Sequence, residues 1–256
     1  MLYEDQKQEF GSTLCVIGFI VNPNTMTITI PDDAHAKLLS SISDFVNIAN
    51  TDCHHTLRKF QALAGYMNWA LNVYILGHPG LSTLYSKIAS KTRANTHIYL
   101  NTSIICELHW LSGYIPSAPP LRILSPISWD LREARSAGLH QLEVFTDVSP
   151  LGLAYYFLSL ALTYHALLPH NPPSDTIFWF EALAICLAIH HMADVWATNF
   201  SPKLNRLLVS TDSMNSVHMF NSCHAKPSYN PLLIFVHQRP HPFLTQRSRA
   251  SRGWRE

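Results

Sequence analysis

Charge is scarce in this chain. Lys, Arg, Asp and Glu make up 14% of its 256 residues, where about a quarter is usual for a globular protein. The formal net charge is +1 with the histidines neutral, so no bulk field selects nucleic acid, membrane or an acidic partner. Long apolar runs are missing too. Although 47% of the residues are hydrophobic, no uninterrupted stretch approaches the ~18 apolar residues needed to cross a bilayer. Stretches such as FEALAICLAI contain an acid and suit a buried helix better. The opening MLYEDQKQEFG is charged and has no apolar centre of a secretory signal. The five cysteines (Cys15, Cys53, Cys106, Cys186, Cys223) are scattered and form no C-x-x-C pair, which argues against a disulfide framework or a zinc site. The expectation is a soluble intracellular protein of one or two domains, long enough to bury a core.

What is present falls into two halves. Residues 12–30 alternate β-branched and apolar side chains around NPNT, which predicts a two-stranded hairpin. Pro31 and Asp32 then open an amphipathic helix through Leu38, Leu39, Ile42 and Phe45. A longer helix follows Thr56, its expected cap, with apolar residues at 57, 60, 63, 64, 67 and 71. Two more helices are expected near GLSTLYSKIAS and TSIICELHWLSGYI. The segment 116–138 carries four prolines and no periodicity, and reads as a linker or wrapping loop. Beyond it strands are expected near 142–147, 152–158 and 161–167, a helix over 176–193, a strand over 206–212 and a short helix in SMNSVHMFNS. That succession is an α/β layer pattern.

Three acids stand out in the second half. Asp147 ends an apolar strand in VFTD, Asp212 ends another in LLVSTD, and Glu181 interrupts the apolar run from Ile177 to Leu187. If the two strands are sheet neighbours, both aspartates emerge at one edge, and a helix on that sheet can aim Glu181 at the same place. Three converging carboxylates resist ionising together unless a cation neutralises them. Mg²⁺ or Mn²⁺, hard and oxygen-loving, suits such a set, and two ions about 4 Å apart could activate water for phosphodiester cleavage. Taken singly, each acid has a blander reading as a strand-end or helix-surface residue. An acid on an apolar helix face is costly without a partner, however, which sets Glu181 apart.

Other candidates carry less. His190 and His191 precede Asp194 at helical spacing, but no third ligand is evident, so a surface patch at a helix end is the preferred reading. His54 and His55, just before a helix, receive the same reading. Tyr66, Trp69 and Tyr74 could stack on bases, though their spacing favours core packing. Arg58 and Lys59 are candidate phosphate contacts. The last 26 residues hold Arg239, Arg247, Arg249, Arg252 and Arg255 against one acid, Glu256, either a phosphate-binding segment or a solvated tail.

The segments FTDVSPLGLAYYF, FWFEALAICLAI and LLVSTDSMNSVHMFN resemble the ribonuclease H family: strand with Asp, hairpin strands, helix with Glu, strand with Asp, helix. The order with Glu in the middle favours ribonuclease H over the transposase and integrase branch. VIGFIVNPNTMTITIP, followed by TLRKFQALAGYMNWALNVYILGHPGLSTLYSKI, looks like the end of a reverse transcriptase palm and then its thumb and connection. The run from Leu57 to Ala70 is the more specific of the two signals. Together these cover about residues 10–230 and lie nearest to fungal retrotransposon polyproteins, the DIRS type among them.

The resemblance implies an α/β (α+β overall) chain: palm end and thumb/connection over 1–125, an incomplete ribonuclease H-like domain over 140–230, and a basic, disordered tail over 231–256. It implies two Mg²⁺ or Mn²⁺ ions on Asp147, Glu181 and Asp212. It also implies contacts to an RNA–DNA hybrid through Arg58, Lys59, Ser149 and Asn215, and hydrolysis of the RNA strand. The Tyr-x-Asp-Asp hairpin of the polymerase is absent, so DNA synthesis by this chain is not expected. The family's last strand and helix, with a fourth acid, are missing from the pattern, which leaves open a nucleic-acid-binding remnant without catalysis. A scaffold used only for protein contacts is a third reading.

Overall fold

The computed structural model describes residues 11–47, 54–123, 143–158, 160–173, 176–199, 207–237 and 249–250. Most of the expected linker, and Arg239, Arg247, Arg252 and Arg255 of the expected tail, lie outside these residues. The chain is mixed α/β and divides into two compact units, Met1–Ser128 and Trp129–Glu256.

The first unit begins with a meander of three strands, β1 (Leu14–Val16), β2 (Phe19–Asn22) and β3 (Thr27–Thr29), rather than the expected single hairpin. The extra reversal falls at Ile17 and Gly18, both at positive φ, the pairing Val16–Phe19 closing a two-residue turn. The expected Asn/Pro turn follows, its Asn22 Oδ1 accepting the amides of Asn24 and Thr25 at 3.0 and 3.2 Å. Helix α1 (Asp32–Asn47) buries Leu38, Ile42, Phe45 and Val46. Strand β4 (His54–Thr56) pairs antiparallel with β5 (His97–Tyr99) and runs directly into α2 (Leu57–Ala70).

Thr56 occupies the cap position of α2 but makes no side-chain cap bond. Instead the amides of Leu57 and Arg58 bond the carbonyls of Thr96 and Ala94, at 2.8 and 3.0 Å, so a neighbouring loop satisfies the helix end. A 3-10 segment (Ile75–Leu81), α3 (Ser82–Ile88) and α4 (Thr102–Tyr114) complete the helical layer. Gly77 and Gly80 admit Leu111, whose side chain lies within 2.9 Å of where either Cβ would stand. Phe60, Leu38, Ile42, Leu57, Met67 and Leu111 are almost wholly buried, each worth roughly 1.5–3 kcal/mol of transfer free energy. The proline-rich segment contributes after all: β6 (Leu121–Arg122) pairs with β3 and makes the sheet four-stranded, in the order β1-β2-β3-β6.

The second unit is a mixed sheet. Strands β7 (Glu143–Ser149), β8 (Gly152–Phe157) and β9 (Leu162–Ala166) form an antiparallel meander. β10 (Leu208–Thr211) lies parallel on the other side of β7, and the short β11 (Arg249–Ala250) lies parallel beyond it. The order is β11-β10-β7-β8-β9. Helix α5 (Ile177–Asn199) packs Phe180, Ala182, Ile185, Ala188, Ile189 and Met192 in one core with Val144 and Val209 of the sheet.

α5 is also the one helix among the described residues long and apolar enough to cross a membrane by length and composition, over Ile177–Asp194; half of that window is buried within the unit. Within that window Glu181 and the pair His190–His191 interrupt the apolar run, and Asp194 closes it. Two further helices, α6 (Met214–Ser222) and α7 (Asn230–His237), follow β10. Residues 231–237 therefore belong to a helix whose Leu232, Leu233 and Val236 enter the core, and Arg249–Ala250 extend the sheet. Both correct the boundary drawn for a disordered tail at 231.

Candidate functional site

The site is built by strand register. β10 runs beside β7 with Leu208 opposite Glu143, Val209 opposite Val144 and Ser210 opposite Phe145. Asp212 follows directly on Thr211, the last residue of β10, and Asp147 lies in the neighbouring strand β7. Both aspartates are exposed. Asp147 does not end its strand, as expected, but stands two residues inside it, and β7 continues to Ser149. The Asp147 Oδ1 accepts the Val148 amide at 2.8 Å, leaving the rest of the carboxylate free to face outward.

The turn after it is a tight hairpin of Pro150 and Leu151, with Ser149 paired to Gly152. Neither loop residue takes a positive φ, which is why no Asn-Gly is needed. Gly152 is required for a different reason: a Cβ there would lie 2.5 Å from the Ala166 carbonyl of β9.

Glu181 sits in the second turn of α5, half-buried. Its Oε2 is buried and has no hydrogen-bond partner among the described residues. Burial raises the carboxyl above its ordinary range; a hydrogen bond from Ser213 opposes this, and the charges of Asp212 and Asp147 add to the rise. Glu181 therefore feels the charges of both aspartates.

Ser213, which sequence reasoning passed over, has two roles. Its Oγ accepts the amide and hydroxyl of Ser216 at 3.4 and 2.9 Å, capping α6, and its own proton is then free for Glu181. A Ser directly after a strand-end Asp and before a helix was the available signal. Among the described residues no three His, Cys, Asp or Glu side chains form a closed metal-ligand cluster. The acids are near enough to repel without having drawn together on a point.

Two further features were missed. Glu143 is buried on β7, with Ser210 Oγ donating to its Oε1 at 3.2 Å, and by strand alternation it shares a face with Asp147. A cavity of about 650 Å³ opens beside the hairpin, lined by Pro150, Leu151, Leu167, His170, Asn171 and Phe180 among others. It adjoins the acids in sequence on two sides, through Pro150 and through Phe180.

No family model matches this chain, and no curated protein matches it.

The remaining candidates fall in several places. Ser149 is exposed, its Oγ accepting the Leu151 amide within the turn at 3.3 Å. Asn215 is exposed in the first turn of α6. Arg58 and Lys59 are exposed in the first turn of α2, in the other unit.

The histidine patches need correcting. His190 and His191 are not at a helix end, because α5 continues to Asn199. His190 stacks on Phe235 at 3.9 Å, its Nε2 at 2.9 Å from the Phe235 carbonyl. His191 instead meets the sheet, its Nδ1 3.0 Å from the Tyr155 hydroxyl and its ring 4.1 Å from Tyr164. Successive helix positions diverge, so the pair serves two packing contacts. His55 is likewise buried, its Nε2 2.8 Å from the Phe45 carbonyl. Tyr66 donates to the Ala34 carbonyl at 2.8 Å and Trp69 stacks on Phe19 at 5.0 Å, while Tyr74 is buried. The described cysteines are free thiols, and burial pushes Cys223 up to about 11.

Proposed function

We propose that this chain is a retroelement-derived reverse transcriptase/ribonuclease H fragment, and that its second unit hydrolyses the RNA strand of an RNA–DNA hybrid with divalent metal. The observation that carries this reading is the half-buried Glu181 carboxyl with an unpartnered buried oxygen, raised by burial and by the charges of Asp147, within β7, and Asp212, directly after the parallel β10. The unpartnered buried oxygen of Glu181 and the two exposed aspartates offer oxygen donors only, which would suit Mg²⁺ or Mn²⁺. Asp147, Glu181 and Asp212 would hold the ions, whose chemistry there is to activate a water and stabilise the leaving oxygen. In the reaction the water oxygen bonds phosphorus as the phosphorus–oxygen bond to the departing ribose breaks. The attacking water gives up one proton to solvent, and the leaving oxygen keeps the bonding pair and takes up a proton from solvent. Ser149 and Asn215, near the two aspartates in sequence, would contact the backbone of the cleaved strand, and Arg58 and Lys59 would contact phosphates. An intracellular site of action follows from the substrate.

The test is cleavage of a labelled RNA–DNA hybrid by the full chain with Mg²⁺ or Mn²⁺, with Asp147→Asn alongside. Metal-dependent cleavage by the unmutated chain, lost in the variant, is the expected result. A second reading, a nucleic-acid-binding remnant, is favoured by one fact: after Asp212 the chain has no acid until Glu256, so the family's fourth carboxylate has no counterpart in α6 or α7. Hybrid binding without cleavage would select that reading.

A further inference from the structure

The ribbon of β4 and β5 in the first unit has two unlike faces. His55 and Ile98, paired across it, are buried, each about 3% exposed. By alternation His54 and Thr56 share the other face with His97 and Tyr99. There the His54 ring lies 4.6 Å from His97 and 5.5 Å from Tyr99, and Tyr99 is 66% exposed. His97 is exposed as well and His54 is half-buried beside them, so the outer flat faces of His97 and Tyr99 stay open to a further ring.

The chain that follows Asp52 and carries these rings bears charge of one sign. From Cys53 to Cys106 the chain contains no Asp or Glu, yet it carries Arg58, Lys59, Lys87, Lys91 and Arg93. Arg58, Lys59, Lys91 and Arg93 are exposed. Two of them are tied to the ribbon by backbone bonds: β4 leads directly into Leu57 and Arg58, whose amides bond Thr96 and Ala94 in the loop that carries Arg93 into β5. The nearest acid that follows, Glu107, is buried and engaged by Thr83.

We propose that this face is a binding platform for single-stranded nucleic acid, with bases stacking on Tyr99, His97 and His54 and phosphates meeting Arg58, Lys59 and Arg93. Exposed rings interleaved with cations offer what an unpaired strand presents: open base faces at intervals along a charged backbone. A duplex keeps its base faces closed and can use only the cations. The platform lies in the unit without the three acids, and it does not depend on the hydrolytic reading.

The test is fluorescence anisotropy of the full chain with labelled U12, labelled dT12 and a labelled 12-base-pair duplex, all in EDTA so that metal-dependent hydrolysis plays no part. Both single strands should bind alike, and at least tenfold more tightly than the duplex. Tyr99→Ala should weaken single-strand binding about tenfold, and Tyr99→Phe should retain it. Arg58→Ala with Lys59→Ala should flatten the slope of log affinity against log salt by about 1.4, the loss of two phosphate contacts. Tyr99 is exposed, so its variants should melt as the parent does. Equal affinity for duplex and single strand, no effect of Tyr99→Ala, or no binding at all would each overturn the proposal.

Discussion

Each unit places a glutamate among apolar residues of a helix, and the two are treated in opposite ways. Glu107 of α4 is 6% exposed, and both its oxygens are engaged by Thr83: the amide donates to Oε2 at 2.9 Å and the hydroxyl to Oε1 at 2.6 Å. Thr83 lies in the first turn of α3, where amides have no partner of their own, so Glu107 serves as a cap supplied from another helix. Glu181 of α5 has one hydroxyl partner, a buried oxygen with none, and two neighbouring acids. Burial alone does not separate a structural acid from a functional one. The donors around it differ: Glu107 is met by an N–H and an O–H group on its two oxygens, whereas one buried oxygen of Glu181 has no partner among the described residues, which supports the proposed role.

That contrast can be broken by exchange of single groups. The largest effect is expected at Asp147: Asn there should cut metal-dependent hydrolysis about a thousandfold, several kcal/mol of lost charge stabilisation, with binding of the hybrid retained. Next comes Glu107→Ala, which leaves the Thr83 amide and hydroxyl buried without partners. It should cost about 2–4 kcal/mol, read as faster hydrogen exchange in α3 and unchanged exchange in β7 to β9. Gly152→Ala forces a methyl against the Ala166 carbonyl and should destabilise the hairpin end of the sheet by about 1–3 kcal/mol, with faster exchange confined to β8 and β9.

The smallest effect has the opposite sign. Because the folded chain raises the Glu181 carboxyl, its stabilising contribution is fully present below the unfolded carboxylate range and is lost as pH rises through the folded value. Glu181→Gln should therefore raise the melting temperature at pH 7, with the gain disappearing near pH 4. Mg²⁺ should stabilise the unmutated chain more than this variant, by linkage to the bound ion. A Glu181→Gln variant that melts lower at pH 7 would remove the distinction between the two glutamates.

Local pattern carried much of this fold. The apolar spacing along α2 named the residues that its core buries, except that Ala70 joins them, and the strand and helix order of the second half follows its periodicity closely. Where the reading fell short, the missing information was not local. The reversal at Ile17 and Gly18 has a short signal, but it lay inside an alternating run that also fits one longer strand. Leu121–Arg122 is a strand only because β3 has an open edge beside it, and the proline-rich surroundings gave no sign of that. His55, His190 and His191 looked like surface imidazoles, since one sequence cannot show which carbonyl or ring will meet a polar side chain. Glu143 and Ser213 escaped notice for the same reason.

From the sequence alone came the identity of the three acids, the elements that carry them and the order of those elements, because hydrophobic periodicity and strand-end position are properties of short windows. Only the tertiary structure decided that β10 lies parallel beside β7, so that Asp212 follows a strand adjoining the one that carries Asp147. It also decided that Glu181 is half-buried, with one carboxylate oxygen out of solvent. Parallel strands joined through a long helix are aligned by the packing of that helix on the sheet and by the backbone hydrogen bonds between them. A shift of one residue would have put the aspartates on opposite faces, with no change in the local pattern of either strand.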